Sequence, residues 1–138
     1  MKKWPLLGLA AVVFYAGSHE TGITGAGHSA AHVAVHAVPA SSNEALANQM
    51  AASGYGWHGV QLTCLDDLWT EESGFSAYAA NPTSDARGIP QNISGWSASY
   101  RPGDAAGQIR WGLSYIKGRY GSPCVAWAHE KAMTPNWY

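Results

Sequence analysis

The clearest helical pattern of apolar residues lies in the middle of the chain. Within residues 61–72, Leu65, Leu68 and Trp69 recur with the 3.6-residue period of an amphipathic helix. The pattern predicts a helix whose apolar face packs into a core and whose last turn carries two adjacent glutamates.

A second helix is predicted just before this one. Ser41 precedes Glu44 by three residues, which is the spacing of a capping box at a helix start. Leu46 and Met50 then share one face, and Gly54 is a suitable end.

A third helix is predicted after residue 102. Asp104 supplies a negative charge for its N-terminus, and Ile109, Leu113 and Ile116 lie along one face. Gly121 is a typical C-terminal stop.

The rest of the chain after residue 73 predicts loops and one short helix. Residues 73–103 are rich in Gly, Ser, Asn and Pro, which favours loops with short strands at most. A stretch this long without regular structure is typical of a binding surface. Pro123 opens a short final helix, so we expect a mostly helical domain with a loop-rich centre.

The N-terminus has the pattern of a secretory signal. Lys2 and Lys3 precede an uncharged, mostly apolar run from Trp4 to Ala16, and small residues follow to Ser18. The run is too short for a transmembrane helix, which needs about 20 apolar residues. We therefore expect residues 1–18 to be a signal peptide and the protein to be secreted, with no stable membrane insertion afterwards.

Residues 19–42 predict a flexible linker made mainly of Gly, Ala, Ser and His. His28, His32 and His36 would form one stripe on a helix and could bind a metal weakly, but glycines before them and Pro39 after them favour the plain linker. The folded domain is then expected over residues 43–138.

Composition narrows the possible partners. The formal net charge is −1, which gives no basic surface for nucleic acid, and 46% hydrophobic against 12% charged residues excludes an acidic disordered chain. Seven tryptophans fit either a core or a cleft that stacks on ligand rings. We interpret Trp57, Trp69 and Trp111 as core.

The two cysteines, Cys64 and Cys124, favour a disulfide, because an exported chain meets an oxidising compartment. They lack the close spacing of a metal site, and we expect neither a metal nor another cofactor.

Helical geometry distinguishes the adjacent glutamates. Glu72 lies four residues after Leu68 and three after Trp69, so it continues the apolar stripe, whereas Glu71 follows Asp67 by four residues on the solvated flank. A carboxyl at the edge of an apolar surface has a raised pKa and can donate a proton near neutrality. The alternative is that Glu72 is simply the first polar residue after a buried helix.

Several motifs occur together in one order: "ESGF", "NPTSDARGIPQ" and "WGLSYIKGRYGSPC" followed by "AWAH". This set, over roughly residues 43–138, resembles the small lysozyme-like domain of actinobacterial secreted transglycosylases and the C-terminal domains of the aggregation-promoting-factor type. The resemblance implies an α+β, mostly helical, minimal lysozyme-like domain with a substrate cleft between two lobes. It also implies that Cys64 and Cys124 pair.

The resemblance places the catalytic glutamate of the family on Glu72. "GIPQ", at 88–91, stands where larger soluble lytic transglycosylases carry "GLMQ", which makes Gln91 a substrate-binding candidate. "AWAH" departs from the "AYNAG" of those relatives, with Trp127 and His129 in place of a Tyr and a polar neighbour. We expect Trp127 and Tyr78 to stack on sugars, and His129 and Ser73 to support substrate binding; His129 could equally be hydrogen-bonded within the last helix.

The expected activity is cleavage of the β-1,4 bond between N-acetylmuramic acid and N-acetylglucosamine in peptidoglycan strands by a monomer. Glycoside cleavage usually uses two carboxylates. Asp85 and Asp104 are the candidates for the second, but Asp104 fits better as a helix N-terminal charge and Asp85 as a local or solvated group. A lytic transglycosylase needs only one acid and leaves 1,6-anhydromuramyl ends. A hydrolytic muramidase that uses Asp85 and a non-catalytic wall-binding or aggregation module stay open.

Overall fold

The computed structural model of the chain describes residues 40–135 and 137–138. The predicted signal peptide, most of the predicted linker and the stripe of His28, His32 and His36 lie outside these residues. The described part contains four helices. They are α1 (Ala40–Tyr55), α2 (Val60–Ser73), α3 (Ala105–Arg119) and α4 (Pro123–Ala132).

The mostly helical architecture is confirmed, with little strand. Within the described residues, β-structure is limited to isolated bridges in the long loop between α2 and α3. They join Ala80 to Arg87, Arg87 to Asn92, and Ser97 to Tyr100. Helix α1 begins at Ala40, slightly before the domain start predicted at 43, so Ser41 lies inside the helix and not at its N-cap.

Helices α2 and α4 run side by side in the same direction. Cys64 and Cys124 form a disulfide near their N-terminal ends, with Cα atoms 5.0 Å apart. One heptad further along each helix, Lys131 Nζ lies 2.9 Å from Glu71 Oε2. The second link lies seven residues after the first on both helices. The two links therefore fix the register of α4 beside α2, the helix that carries Glu72.

The core forms where the inner faces of the helices meet. Leu65, Leu68 and Trp69 of α2 are fully buried, as the apolar pattern predicted. Core packing also involves α1 and α3. Their buried residues are Ala47, Ala51, Ile109, Leu113 and Ile116.

The side chain of Trp69, from α2, reaches the backbone of α3 at Gly112. A Cβ added to Gly112 would lie 2.6 Å from Trp69 Cζ2 and 2.9 Å from Pro90 Cβ, so no larger residue fits without displacement. The N-terminus of α3 is capped by Asp104, whose Oδ1 accepts a hydrogen bond from Gly107 N at 2.9 Å. This confirms the interpretation of Asp104 as a helix N-terminal charge.

The long loop is held to the helices through one buried amide. Gln108 of α3 is fully buried, and its Oε1 accepts a hydrogen bond from Ile89 N at 3.0 Å. Its Nε2 donates to Ala77 O and Arg101 O at 2.9 and 2.7 Å. A single side chain therefore fixes the beginning, middle and end of the loop.

None of the helices in the described part of the chain has the length and apolar character needed to cross a bilayer.

Candidate active site

Glu72 lies in the last turn of α2, where the helix ends and the loop begins. Gly74 caps the helix in the left-handed conformation, with φ 59°, and its N–H donates to Thr70 O. The chain then turns back at once, with Phe75 also at positive φ and 2% exposed. This abrupt end leaves Glu72 partly exposed beside a cavity and not inside a longer helix.

The cavity beside Glu72 has a volume of about 360 Å³. Its walls come from α2, from the loop around residue 91, from one face of α3 and from the last described residues. The lining residues are Glu72, Pro90, Gln91, Asn92, Ile93, Ser94, Trp111, Tyr115, Arg119, Trp137 and Tyr138. Among these residues Glu72 is the single carboxylic acid, and we refer to the site as the Glu72 cavity.

The surroundings of Glu72 raise its pKa to about 8. The largest cause is burial, which disfavours the ionised carboxylate. The negative charges of Glu130 and then of Glu71 raise the pKa further. Near neutral pH the side chain is therefore mostly a protonated carboxylic acid, the form that can donate a proton.

Glu130 reaches this region because α4 is fixed beside α2. Glu130 lies three residues after Trp127 on α4 and is only 3% exposed. It is not a lining residue of the cavity, and its negative charge raises the pKa of Glu72.

One wall of the Glu72 cavity is aromatic. Trp111 and Tyr115, one turn apart on α3, stack with ring centroids 5.3 Å apart and an interplanar angle of 8°. Trp137 and Tyr138 continue the wall. Flat aromatic faces of this kind suit the apolar faces of sugar rings.

Gln91 also lines the cavity, in a strained backbone conformation. Its φ is 51°, which is unusual for a residue other than glycine and is often found at functional sites. Its Nε2 donates to Gly88 O at 2.8 Å. Its Oε1 is buried and accepts no hydrogen bond from the described residues, so it can accept one from a ligand N–H or O–H group.

Tyr138 joins three parts of the site. Its hydroxyl accepts a hydrogen bond from Trp69 Nε1 at 2.9 Å and donates to Pro90 O at 3.1 Å. Burial, and then the charge of Glu72, raise its pKa well above the ordinary value, so the phenol stays neutral. Tyr138 thus fixes the turn that carries Gln91 against the helix that carries Glu72.

Of the predicted site residues, Glu72 and Gln91 both line the cavity. Ser73 lies beside it, and its Oγ donates to Ile89 O at 2.7 Å, which ties α2 to the 88–91 turn. Tyr78 is exposed and lies outside the cavity wall, against Gly103, so its position gives no support to sugar stacking.

The two predicted residues of α4 also lie outside the wall. The ring of Trp127 packs under Lys131, whose Nζ is 4.6 Å from the ring centroid. His129 Nδ1 is hydrogen-bonded to Trp137 O at 3.1 Å, and its ring packs edge-on against Trp137. His129 therefore positions a wall residue, and its predicted contact with substrate stays a prediction.

The structure also shows where the tryptophans, Asp85 and Glu71 lie. Trp57 and Trp69 are core residues as expected, but Trp111 is partly exposed on the cavity wall, so its assignment to the core was wrong. Asp85 is exposed and is not a lining residue. Glu71 does not lie on a freely solvated face, because it pairs with Lys131 across the two parallel helices.

Sequence reasoning missed the wall residues contributed by the end of the chain and by α3. Trp137 and Tyr138 are more than sixty positions from Glu72, and no helical period relates them to it. For α3 a signal existed, because Trp111, Tyr115 and Arg119 recur at i, i+4 and i+8 beside the apolar stripe.

Comparison of the chain with known protein families, with curated proteins and with solved structures yields no match. The resemblance found in the motifs is therefore carried forward as a proposal.

Proposed function

We propose that the protein cleaves the β-1,4 bond between N-acetylmuramic acid and N-acetylglucosamine in peptidoglycan, as a lytic transglycosylase of lysozyme-like fold. The observation that carries this proposal is Glu72: a carboxyl with a pKa of about 8 beside an aromatic-walled cavity. A proton donor at neutral pH next to surfaces that suit sugar rings is what glycosidic cleavage requires.

In the proposed reaction, Glu72 donates its proton to the glycosidic oxygen, and the bond from that oxygen to the anomeric carbon of the muramic acid breaks. The departing N-acetylglucosamine leaves with a 4-hydroxyl group. The Glu72 carboxylate then accepts the proton of the 6-hydroxyl of the muramic acid, whose oxygen attacks the anomeric carbon. A 1,6-anhydro ring forms, and Glu72 is protonated again.

Gln91 and the aromatic wall would hold the substrate in this reaction. Gln91 Oε1 is buried without a donor from the described residues, and the N–H of an acetamido group is a suitable one. Trp111 and Trp137 offer faces on which pyranose rings can stack.

A single acid on the wall favours transglycosylation over hydrolysis. Hydrolysis with inversion needs a second carboxylate about 6.5–9.5 Å from the first, across the sugar. Asp85 is exposed, Glu130 is buried, and neither is a lining residue of the cavity. An intramolecular hydroxyl nucleophile removes the need for that second group.

The disulfide fits a protein that functions in an oxidising compartment, as a secreted wall enzyme would. Secretion and contact with the cell wall are part of the same proposal.

The test is product analysis on purified sacculi with the wild type and Glu72→Gln. We expect the wild type to release 1,6-anhydromuropeptides, and Glu72→Gln to lose activity by roughly a thousandfold or more, because the proton donor is gone. Glu71→Gln is the matched control and should keep most of the activity. Reducing muramic acid ends would indicate a muramidase instead. Undiminished cell-wall solubilisation by Glu72→Gln would contradict the assignment, and wall binding without cleavage by the wild type would indicate a binding module.

A further inference from the structure

The Glu72 cavity contains one permanent cation, which the reaction proposed above does not use. Arg119 is the last residue of α3, and it lines the cavity together with Trp111 and Tyr115 from the same helix. Because the three residues follow one another at intervals of four, they lie along one side of α3. The positive charge is therefore placed at the end of the aromatic wall.

Aromatic rings hold the guanidinium group of Arg119 in place. Its Cζ lies 5.5 Å from the centroid of Trp137 and 5.6 Å from that of Tyr120. Its Nε donates to Tyr120 Oη at 3.1 Å. A guanidinium restrained in this way loses less freedom when its remaining N–H groups bind a ligand.

No carboxylate in the described part of the chain forms an ion pair with Arg119. The one acid on the cavity wall, Glu72, is mostly neutral at pH 7. The lining residues thus present a positive charge that no ionised carboxylate side chain of the wall balances at pH 7. A site of this kind favours an anionic ligand over a neutral one of the same shape.

We propose that Arg119 recognises a carboxylate of the bound glycan and makes the protein selective for acidic over neutral amino-sugar chains. This inference rests on the proposed function and deepens it. In peptidoglycan the carboxylate has two sources: the lactyl group of N-acetylmuramic acid where no peptide is attached, and the stem peptide where one is. Both offer the planar pair of oxygens that a guanidinium binds with two N–H groups.

The experiment measures binding in the Glu72→Gln background, so that no probe is consumed. Isothermal titration compares three probes: chitotetraose, which is neutral; a peptide-free tetrasaccharide of alternating N-acetylglucosamine and N-acetylmuramic acid; and the same tetrasaccharide with its stem peptides. We expect at least one acidic probe to bind roughly five- to tenfold more tightly than chitotetraose, with a preference that shrinks as salt is added.

Arg119→Gln should remove most of this preference while leaving affinity for chitotetraose nearly unchanged. Arg119→Lys should keep part of it, because the charge remains and the planar fork is lost. Arg110→Gln is the matched control, since Arg110 is an exposed arginine on the opposite side of α3 and outside the cavity wall. It should behave like the parent.

The pattern across the probes identifies the source. Preference for the peptide-free probe alone assigns the lactyl group, and preference for the peptide-bearing probe alone assigns the stem peptide. If Arg119→Gln and the parent discriminate equally, or if the parent does not discriminate, the Arg119 inference is overturned even when the wild type cleaves sacculi. If the parent binds no probe and the wild type leaves sacculi intact, the proposed function itself has failed.

Discussion

At the scale of single residues, the surroundings of Glu72 keep its carboxyl mostly neutral near pH 7. Burial is the main cause, and the charge of Glu130, from the neighbouring helix, is the second. The effect of burial could be expected from the position of Glu72 at the end of an apolar stripe. The effect of the Glu130 charge could not be expected, because it depends on how α4 lies against α2.

The pH dependence of activity follows from this arrangement. Since the protonated form of Glu72 is the reactive one, we expect cleavage to fall as pH rises through about 8. Glu130→Gln removes a negative charge, so it should lower the pKa of Glu72 and move the alkaline limb to lower pH. Initial rates on sacculi between pH 5 and 10 measure the shift. Glu71→Gln should move the alkaline limb of the pH–rate profile less than Glu130→Gln does. An unchanged alkaline limb in Glu130→Gln would contradict the electrostatic effect of Glu130 on Glu72.

The same raised pKa affects stability, with a definite sign. The folded state holds the Glu72 proton up to about pH 8, whereas the unfolded chain releases it near its ordinary pKa of 4.5. Stability from this group is therefore full below about pH 4.5 and is lost as pH rises through about 8.

Because glutamine cannot ionise, Glu72→Gln should be more stable than the wild type by a few kcal/mol at pH 9 and nearly equal to it at pH 4. Urea unfolding followed by far-UV circular dichroism at both pH values measures the difference. Glu71→Gln serves as the control. Equal stabilities at pH 9 would show that Glu72 ionises freely in the folded protein.

At the scale of elements, the helices could be predicted from the sequence, and the contacts between them could not. The periodic residues Leu65, Leu68 and Trp69 located α2, and Asp104 located the start of α3, because these signals are local. Gln108 gave no such signal. Its three hydrogen bonds join backbone groups up to 31 positions away, which no period of the sequence reveals.

The packing of the Trp69 side chain against α3 predicts opposite results at two glycines of that helix. Gly112→Ala should destabilise the fold by about 1–3 kcal/mol, because its Cβ would overlap Trp69 and Pro90. Gly118→Ala meets nothing within 4 Å and should be neutral or stabilising by up to about 1 kcal/mol. Thermal unfolding of both variants measures this. Equal effects would mean that the close approach is not present in solution.

At the scale of the whole molecule, distant parts of the chain complete the site. Helix α2 supplies the acid, the 88–91 turn supplies Gln91, α3 supplies one aromatic wall, and Trp137 and Tyr138 close it. The motifs made Glu72 and Gln91 site candidates, and both line the cavity. Gln91 also has a positive φ, which is unusual for a residue other than glycine. The end of the chain was overlooked because only the tertiary fold brings it to the cavity.

The disulfide is the long-range link whose energetic effect is easiest to test. It closes a loop of 60 residues, so its removal should cost about 4 kcal/mol in the chain-entropy description. Cys64→Ser with Cys124→Ser should lower the unfolding free energy accordingly and increase its urea dependence, because the unfolded chain without the cross-link exposes more surface. A loss of less than about 1 kcal/mol would mean that packing alone keeps α4 in register with α2.

The positions of the tryptophans should make intrinsic fluorescence sensitive to ligand binding in the Glu72 cavity. Trp57 and Trp69 are buried in the core, whereas Trp111 and Trp137 are partly exposed on the cavity wall. A bound molecule would remove water from the wall pair and leave the core pair untouched. The intrinsic emission spectrum should therefore shift to the blue on occupancy, and Trp111→Phe and Trp137→Phe would show which ring senses it.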